Sequence, residues 1–112
     1  MNKKDIIITS ATRTAVGSLG KSLKNKPGHE LGSTVIIESI KRSKLKNDEV
    51  DEIIMGQVLT GGTGQNPARQ AAMRSGIPKE KPAISNLFLE YVPGISAVSP
   101  PTKLHPLILH PF

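Results

Sequence analysis

The apolar positions keep two clear rhythms over the first 85 residues and lose them afterwards. Ile6-Ile7-Ile8, set between Asp5 and Thr9, is a continuous β-branched run, which predicts a strand buried on both faces. From His29 to Arg42 the spacing turns helical. Leu31 and Val35 fall on one stripe, Ile36, Ile37 and Ile40 on another, and Lys41 and Arg42 suit the negative end of the helix dipole. Two stripes predict a helix covered on more than one side, and in so short a chain one of them is expected to be exposed. Residues 51–59, Asp-Glu-Ile-Ile-Met-Gly-Gln-Val-Leu, read as a second strand with Gly56 as a bulge or close-contact point. A flexible Gly61-Gly62-Thr63-Gly64 loop leads through Gln65 to Asn66 as N-cap and Pro67 at the first helical position. Ala68, Ala71 and Ala72 give this helix a narrow face for close packing, and Gly76 with Pro78 beyond it marks its end. Pro82-Ala83-Ile84-Ser85 opens a third strand. The predicted class is α/β, in the order βαβαβ, which implies parallel pairing with right-handed crossovers.

Composition places a boundary at the same point where the rhythm stops. Residues 1–85 hold 22 of the 24 charged side chains and no aromatic residue. Residues 86–112 hold Phe88, Tyr91 and Phe112, five of the nine prolines, and only Glu90 and Lys103 as charges. The expected division is therefore an ordered α/β unit over 1–85 and an irregular, poorly ordered Pro-rich tail over 86–112. At 112 residues the chain forms one small domain at most, and one of marginal stability.

The net charge of +6 comes from scattered cations, with Lys21, Lys24 and Lys26 in one group and Lys41, Arg42, Lys44 and Lys46 in another. Such groups attract anions, but no aromatic side chain is interleaved for base stacking, so a nucleic-acid partner is not expected. The chain contains no cysteine, which removes disulfides, Cys-based metal sites and a thiol nucleophile. The apolar run behind Lys3 and Lys4 is too short for a signal-peptide core, and no stretch reaches the length of a membrane span. A cytoplasmic location and no membrane association are expected.

Three features admit more than one reading on the residues alone. Gly17 and Gly20 permit sharp turns, but their spacing is not that of a dinucleotide-binding loop. The 61–64 loop running into a Pro67-started helix is either an anion-binding helix N-terminus or a tight strand-to-helix connection. Arg13 and Arg69 either touch a ligand or second subunit or, the favoured reading, tie backbone carbonyls together. His29 reads as a residue of the loop ahead of a helix and not as a general base. Gln65 and Asn66 read as loop-shaping and capping residues.

Taken together the motifs are more specific. Thr9-Ser10-Ala11-Thr12-Arg13-Thr14-Ala15-Val16-Gly17-Ser18-Leu19-Gly20, then His29-Glu30-Leu31-Gly32, then the 50–59 strand region, then Gly64-Gln65-Asn66-Pro67-Ala68-Arg69-Gln70-Ala71-Ala72 occur in that order. This series resembles the N-terminal half of the thiolase family, in its acetyl-CoA acetyltransferase branch. The likeness runs from Asp5 to Ser85. It implies a partial thiolase-like fold and, by descent, acetyl-CoA C-acetyltransferase chemistry: two acetyl-CoA condense to acetoacetyl-CoA and CoA. Acyl-CoA is then the substrate, no separate cofactor is called for, and the region of Gln65, Asn66 and Arg69 is where subunit contacts are expected.

The resemblance also implies a nucleophilic cysteine near position 90, whose thiolate would take the acyl group as a thioester. Glu90 stands near that slot. A carboxylate is a weak nucleophile, and its charge opposes an anionic CoA. His105-Pro106 and His110-Pro111 lie in the tail, lack a preceding Gly, and are not assigned a catalytic role. No catalytic, cofactor-binding or metal residue is expected in this chain. It reads as an inactive truncated or frameshifted thiolase relic, with a tail unrelated to the family. The alternative is a small non-catalytic α/β interaction module that binds a partner subunit or an anionic ligand.

Overall fold

The structure is a computed structural model that describes residues 7–86 and the backbone of residues 107–109. Its elements are helix α1 (Gly28–Ser43), a 3-10 turn (Asn47–Glu49), strand β1 (Ile53–Gly56), helix α2 (Pro67–Arg74), strand β2 (Ala83–Asn86) and strand β3 (Leu107–Leu109). The strands form one sheet in the order β2-β1-β3. Both pairings are parallel, with Ile53 beside Ala83 and Leu107, and Met55 beside Ser85 and Leu109. The β1–α2–β2 unit is thus the parallel crossover expected from the sequence.

Helix α1 matches the predicted span to within a residue. Its N-terminus has no side-chain cap; instead Glu30 and Leu31 donate to the Pro27 carbonyl. At its other end Lys44 takes a left-handed conformation (φ 56°), and Leu45 N donates back to the Ile40 carbonyl at 3.2 Å. This is the reverse turn that satisfies the last carbonyls of a helix. The buried side of α1 is Val35, Ile36 and Ile40, whereas Ile37 is 50% exposed. The predicted exposed stripe therefore shrinks to one residue, because Ile36 and Ile40 face the second helix and the sheet together.

Both helices pack on the face of the sheet that carries Ile53 and Met55. The core comprises Val35, Ile36, Ile40, Val50, Ile53, Met55, Ala68, Ala71, Ala72 and Ile77. Close approach is set by small residues: a Cβ on Gly32 would stand 2.7 Å from the Met55 methyl and 3.3 Å from the Ala71 Cβ. The narrow alanine face of α2 is fully buried, as its spacing requires. On the opposite face Ile84 is 46% exposed and Ile54 is half-buried, so the sheet shows an apolar side to solvent.

Two strands differ from expectation. The second predicted strand is shorter than 51–59: regular pairing ends at Gly56, Gln57 N makes one more bond across to the Asn86 carbonyl at 3.3 Å, and its buried side-chain amide donates to the Leu59 carbonyl at 2.9 Å. The first predicted strand is absent from the described part of its run: residues 7–9 are not in the sheet, and Ile7 and Ile8 are 69% and 90% exposed. The edge of β1 away from β2 is taken by β3, a strand that the proline-rich tail gave no reason to expect. Apart from Asn86, which closes β2, and β3, the tail lies outside the described residues.

Helix α2 ends as predicted. Gly76 has φ 80°, and Ile77 N donates to the Ala72 carbonyl at 3.2 Å while its side chain is buried. A Cβ on Gly76 would also meet Asn47 Nδ2 at 2.9 Å, the atom that donates to the Gly76 and Ser75 carbonyls. Gly76→Ala should therefore cost about 1–2 kcal/mol from the left-handed backbone alone, and should loosen the 3-10 turn. Urea titration of the two chains by circular dichroism measures that cost.

Candidate functional site

The 61–70 segment is where sequence reasoning left the sharpest choice, anion site or tight connection. Asn66 sits in a left-handed conformation (φ 40°, ψ 82°). Its Oδ1 accepts from Arg69 N at 3.1 Å and from Ser85 Oγ at 3.0 Å, while its Nδ2 donates to the Ala83 carbonyl at 2.9 Å. Ser85 Oγ in turn accepts from Ala68 N at 3.0 Å. Pro67 has no N–H, and Gln70 N donates to the Asn66 carbonyl at 3.2 Å. All amides of the first turn are thus absent or engaged within the chain, and none points outward to an anion. The tight connection is the correct reading.

The neighbouring side chains serve the same purpose. Gln70 Nε2 donates to the carbonyls of Thr63 (2.8 Å) and Gln65 (2.9 Å), and so pins the glycine loop to α2. Thr63 closes its own turn through Oγ1 to the Thr60 carbonyl at 2.6 Å. Arg69 uses both terminal nitrogens on backbone, Nη1 to Lys81 O at 2.8 Å and Nη2 to Lys79 O at 2.7 Å. It ties carbonyls together, as expected, and draws the 79–81 turn against the start of α2. Of the three residues named for subunit contacts, the Asn66 and Arg69 side chains are hydrogen-bonded within the chain, and Gln65 and Asn66 are both exposed.

A second candidate is a cleft of about 290 Å³ beside α1, lined by Thr12, Arg13, Val35, Ile37, Glu38 and Arg42, among others. Residues 9–12 are fastened along the helix by hydroxyls. Thr9 Oγ1 and Ser43 Oγ share a hydrogen bond of 2.8 Å, Ser10 Oγ donates to Ser39 O at 3.1 Å, and Thr12 Oγ1 bonds both Ser39 Oγ and the Val35 carbonyl. The cleft's charges largely answer each other. Arg42 Nε lies 2.7 Å from Glu38 Oε1, and that hydrogen bond holds the Glu38 carboxyl below its ordinary pKa. Arg13 lines the cleft and is exposed.

His29 belongs to the first turn of α1 and not to the loop before it, and its Nδ1 is buried with no hydrogen-bond partner among the described residues. Lys21 and Lys24 lie in an exposed turn, and Lys26 pairs with Glu30 at 3.5 Å. Glu90, His105 and His110 fall outside the described residues. Sequence reasoning missed Ser85 as a partner of the α2 cap, and the Thr9, Ser10 and Thr12 hydroxyls as fasteners of the N-terminal segment. Nothing local announces Ser85, because its partners are 17 and 19 residues away.

A parallel α/β unit in which a glycine loop feeds an asparagine-capped helix, locked by Arg69 and Ser85, defines the class as a parallel α/β scaffold. Residues 6–86 match the family model described as thiolase, N-terminal domain. This chain therefore belongs to the thiolase family. Among similar proteins, the acetyl-CoA acetyltransferase of Cupriavidus necator is 53% identical over 81 residues, which are 72% of this chain and 21% of that protein. An acetyl-CoA acetyltransferase of Clostridioides difficile is 50% identical over 82 residues, covering 73% of this chain and 77% of that protein. Among solved structures, the Acat5 thiolase of Ascaris suum in complex with coenzyme A superimposes with a TM-score of 0.58 at 40% identity. That superposition covers 61% of this chain and 18% of the Ascaris chain. The chain thus spans about a fifth of the length of most of the curated relatives it matches.

Proposed function

We propose that this chain is the scaffold portion of an acetyl-CoA acetyltransferase-type thiolase and carries out no acyl transfer itself. One observation carries the reading: a thiolase-family sequence with no cysteine anywhere in its 112 residues. Acyl transfer through a thioester needs a thiolate, and the carboxylate of Glu90, near the slot where the family resemblance implies one, is a poor replacement. The hydroxyls of the described polar clusters support the same view, since Ser85, Thr63, Ser10 and Thr12 are hydrogen-bonded to backbone or to one another. Acyl-CoA is the ligand class that the relatives' names point to. The cytoplasm is the proposed location, and no described helix is long and apolar enough to cross a membrane.

The tail after Ser85 is read as the product of a shifted frame. Translating the nucleotide sequence beyond codon 85 in the other two frames is expected to yield an Asn-x-x-Cys strand and further thiolase-like sequence. Its absence from both frames would remove the frameshift. For the chain itself, incubation with acetyl-CoA followed by intact-mass measurement is expected to give the unmodified mass. A site-specific acetyl increment at stoichiometric level would overturn the proposal.

A second reading, a non-catalytic interaction module, is favoured by the 59–65 loop, where Leu59 is 82% exposed and Gln65 is exposed as well. A stable, stoichiometric partner on purification supports it, and loss of that partner on Leu59→Asp would locate the contact.

A further inference from the structure

We propose that the apolar sheet face formed by Ile54 and Ile84 is the docking surface for residues 87–106 of the same chain, the segment that joins β2 to β3. The first observation is the face itself. Successive side chains of a strand point to opposite sides of the sheet. Ile53 and Met55 point towards α1 and α2 and are fully buried. Ile54 and its register partner Ile84 point the other way, and Ile84 is 46% exposed while Ile54 is half-buried. A parallel sheet is ordinarily covered on both faces, and here both helices lie on one.

The second observation is direction. The connection through α2 steps from β1 to β2, one place across the sheet. The next connection leaves β2 and reaches β3 on the far side of β1, so it steps two places the opposite way. Both pairings are parallel, and each connection is therefore a crossover that returns over the sheet. Such crossovers are right-handed almost without exception. Two right-handed crossovers that step in opposite directions must use opposite faces. With α2 on the Ile53 and Met55 side, the path of residues 87–106 crosses the Ile54 and Ile84 side and passes over β1.

The third observation is length and composition. From the end of β2 to the start of β3 the chain must return roughly 10 Å along the strands and cross two strand spacings, about 10 Å more. The twenty residues between them reach roughly 65–70 Å when extended. The connection is thus long enough to lay side chains on the face. Its first six residues include Leu87, Phe88, Leu89, Tyr91 and Val92, and its charges are Glu90 and Lys103 alone.

Thiol reactivity of the full chain tests this, because the protein has no cysteine of its own. Ile84→Cys reports on the sheet face, and Ile37→Cys, on the outer side of α1, is the open reference. Left open, the two sites react with a maleimide at similar rates, since Ile84 and Ile37 are 46% and 50% exposed. With residues 87–106 docked, the Ile84→Cys thiol is expected to react about tenfold or more slowly, at every protein concentration, because modification waits for local opening. Similar rates overturn the proposal. So does protection that fades on dilution, which would assign the face to a second copy of the chain. The unsubstituted chain gives an independent measurement. Phe88 and Tyr91 are two of its three aromatic residues, so nuclear Overhauser contacts from their rings to the Ile54 and Ile84 methyls are readily assigned. Contacts within one molecule between those methyls and residues 87–106 are expected. Their absence, or their appearance only between differently labelled copies, overturns the proposal equally.

Discussion

Asn66→Ala should lower the stability of this chain by about 2–3 kcal/mol, a large part of what a unit of this size possesses. Three losses combine. The acceptor for Arg69 N disappears, together with the partner of Ser85 Oγ. The donor to the Ala83 carbonyl goes with it. Alanine must also take φ 40°, a region that asparagine visits far more readily. Asn66→Asp separates these contributions, since it keeps the Oδ1 acceptor and the backbone preference in part but loses the Nδ2 donor. Its cost should be smaller, about 1 kcal/mol. Urea midpoints of the three chains, followed by far-ultraviolet circular dichroism, give the ranking. Equal midpoints for Asn66→Ala and the parent would show that the cap and its strand bonds contribute nothing.

Ile36→Ala and Ile37→Ala should differ sharply although they are adjacent. Ile36 is fully buried between α1, α2 and the sheet, and its truncation leaves a cavity worth about 2–5 kcal/mol. Ile37 is 50% exposed on the cleft side, and alanine is the better helix former, so its replacement should stay within about 0.5 kcal/mol of the parent. Thermal or urea unfolding of the two variants decides between this picture and one in which both isoleucines are covered. A large loss for Ile37→Ala would mean that α1 is buried on its second side in solution.

The sequence marked the elements whose signals are local. Asn66-Pro67 and Gly76-Ile77-Pro78 fixed both ends of α2, and the 3.6-residue spacing fixed α1, because caps and periodicity are decided within a turn or two. The backbone-tying role of Arg69 was also anticipated. Edge occupancy was not, since Ile6-Ile7-Ile8 has strand character in the sequence whereas residues 7–9 stand outside the sheet and Leu107–Leu109 pairs with β1. Likewise the choice between an anion site and a tight connection hinged on Ser85, far along the chain. The exposure of Ile37 depended on how α1 is rolled against α2, which Gly32, Met55 and Ala71 set jointly. The family was readable from motif order alone.

The bonds that close the start of α2 have one consequence for how the chain is made. An eight-residue helix is not stable by itself in water. Its first-turn donor at Ala68 and its capping residue are completed by Ser85 and Ala83, which belong to β2. On the ribosome, α2 therefore has no means of holding its shape until β2 has left the exit tunnel. Helix and strand should condense together, as one late event, and not as a helix that waits for its sheet.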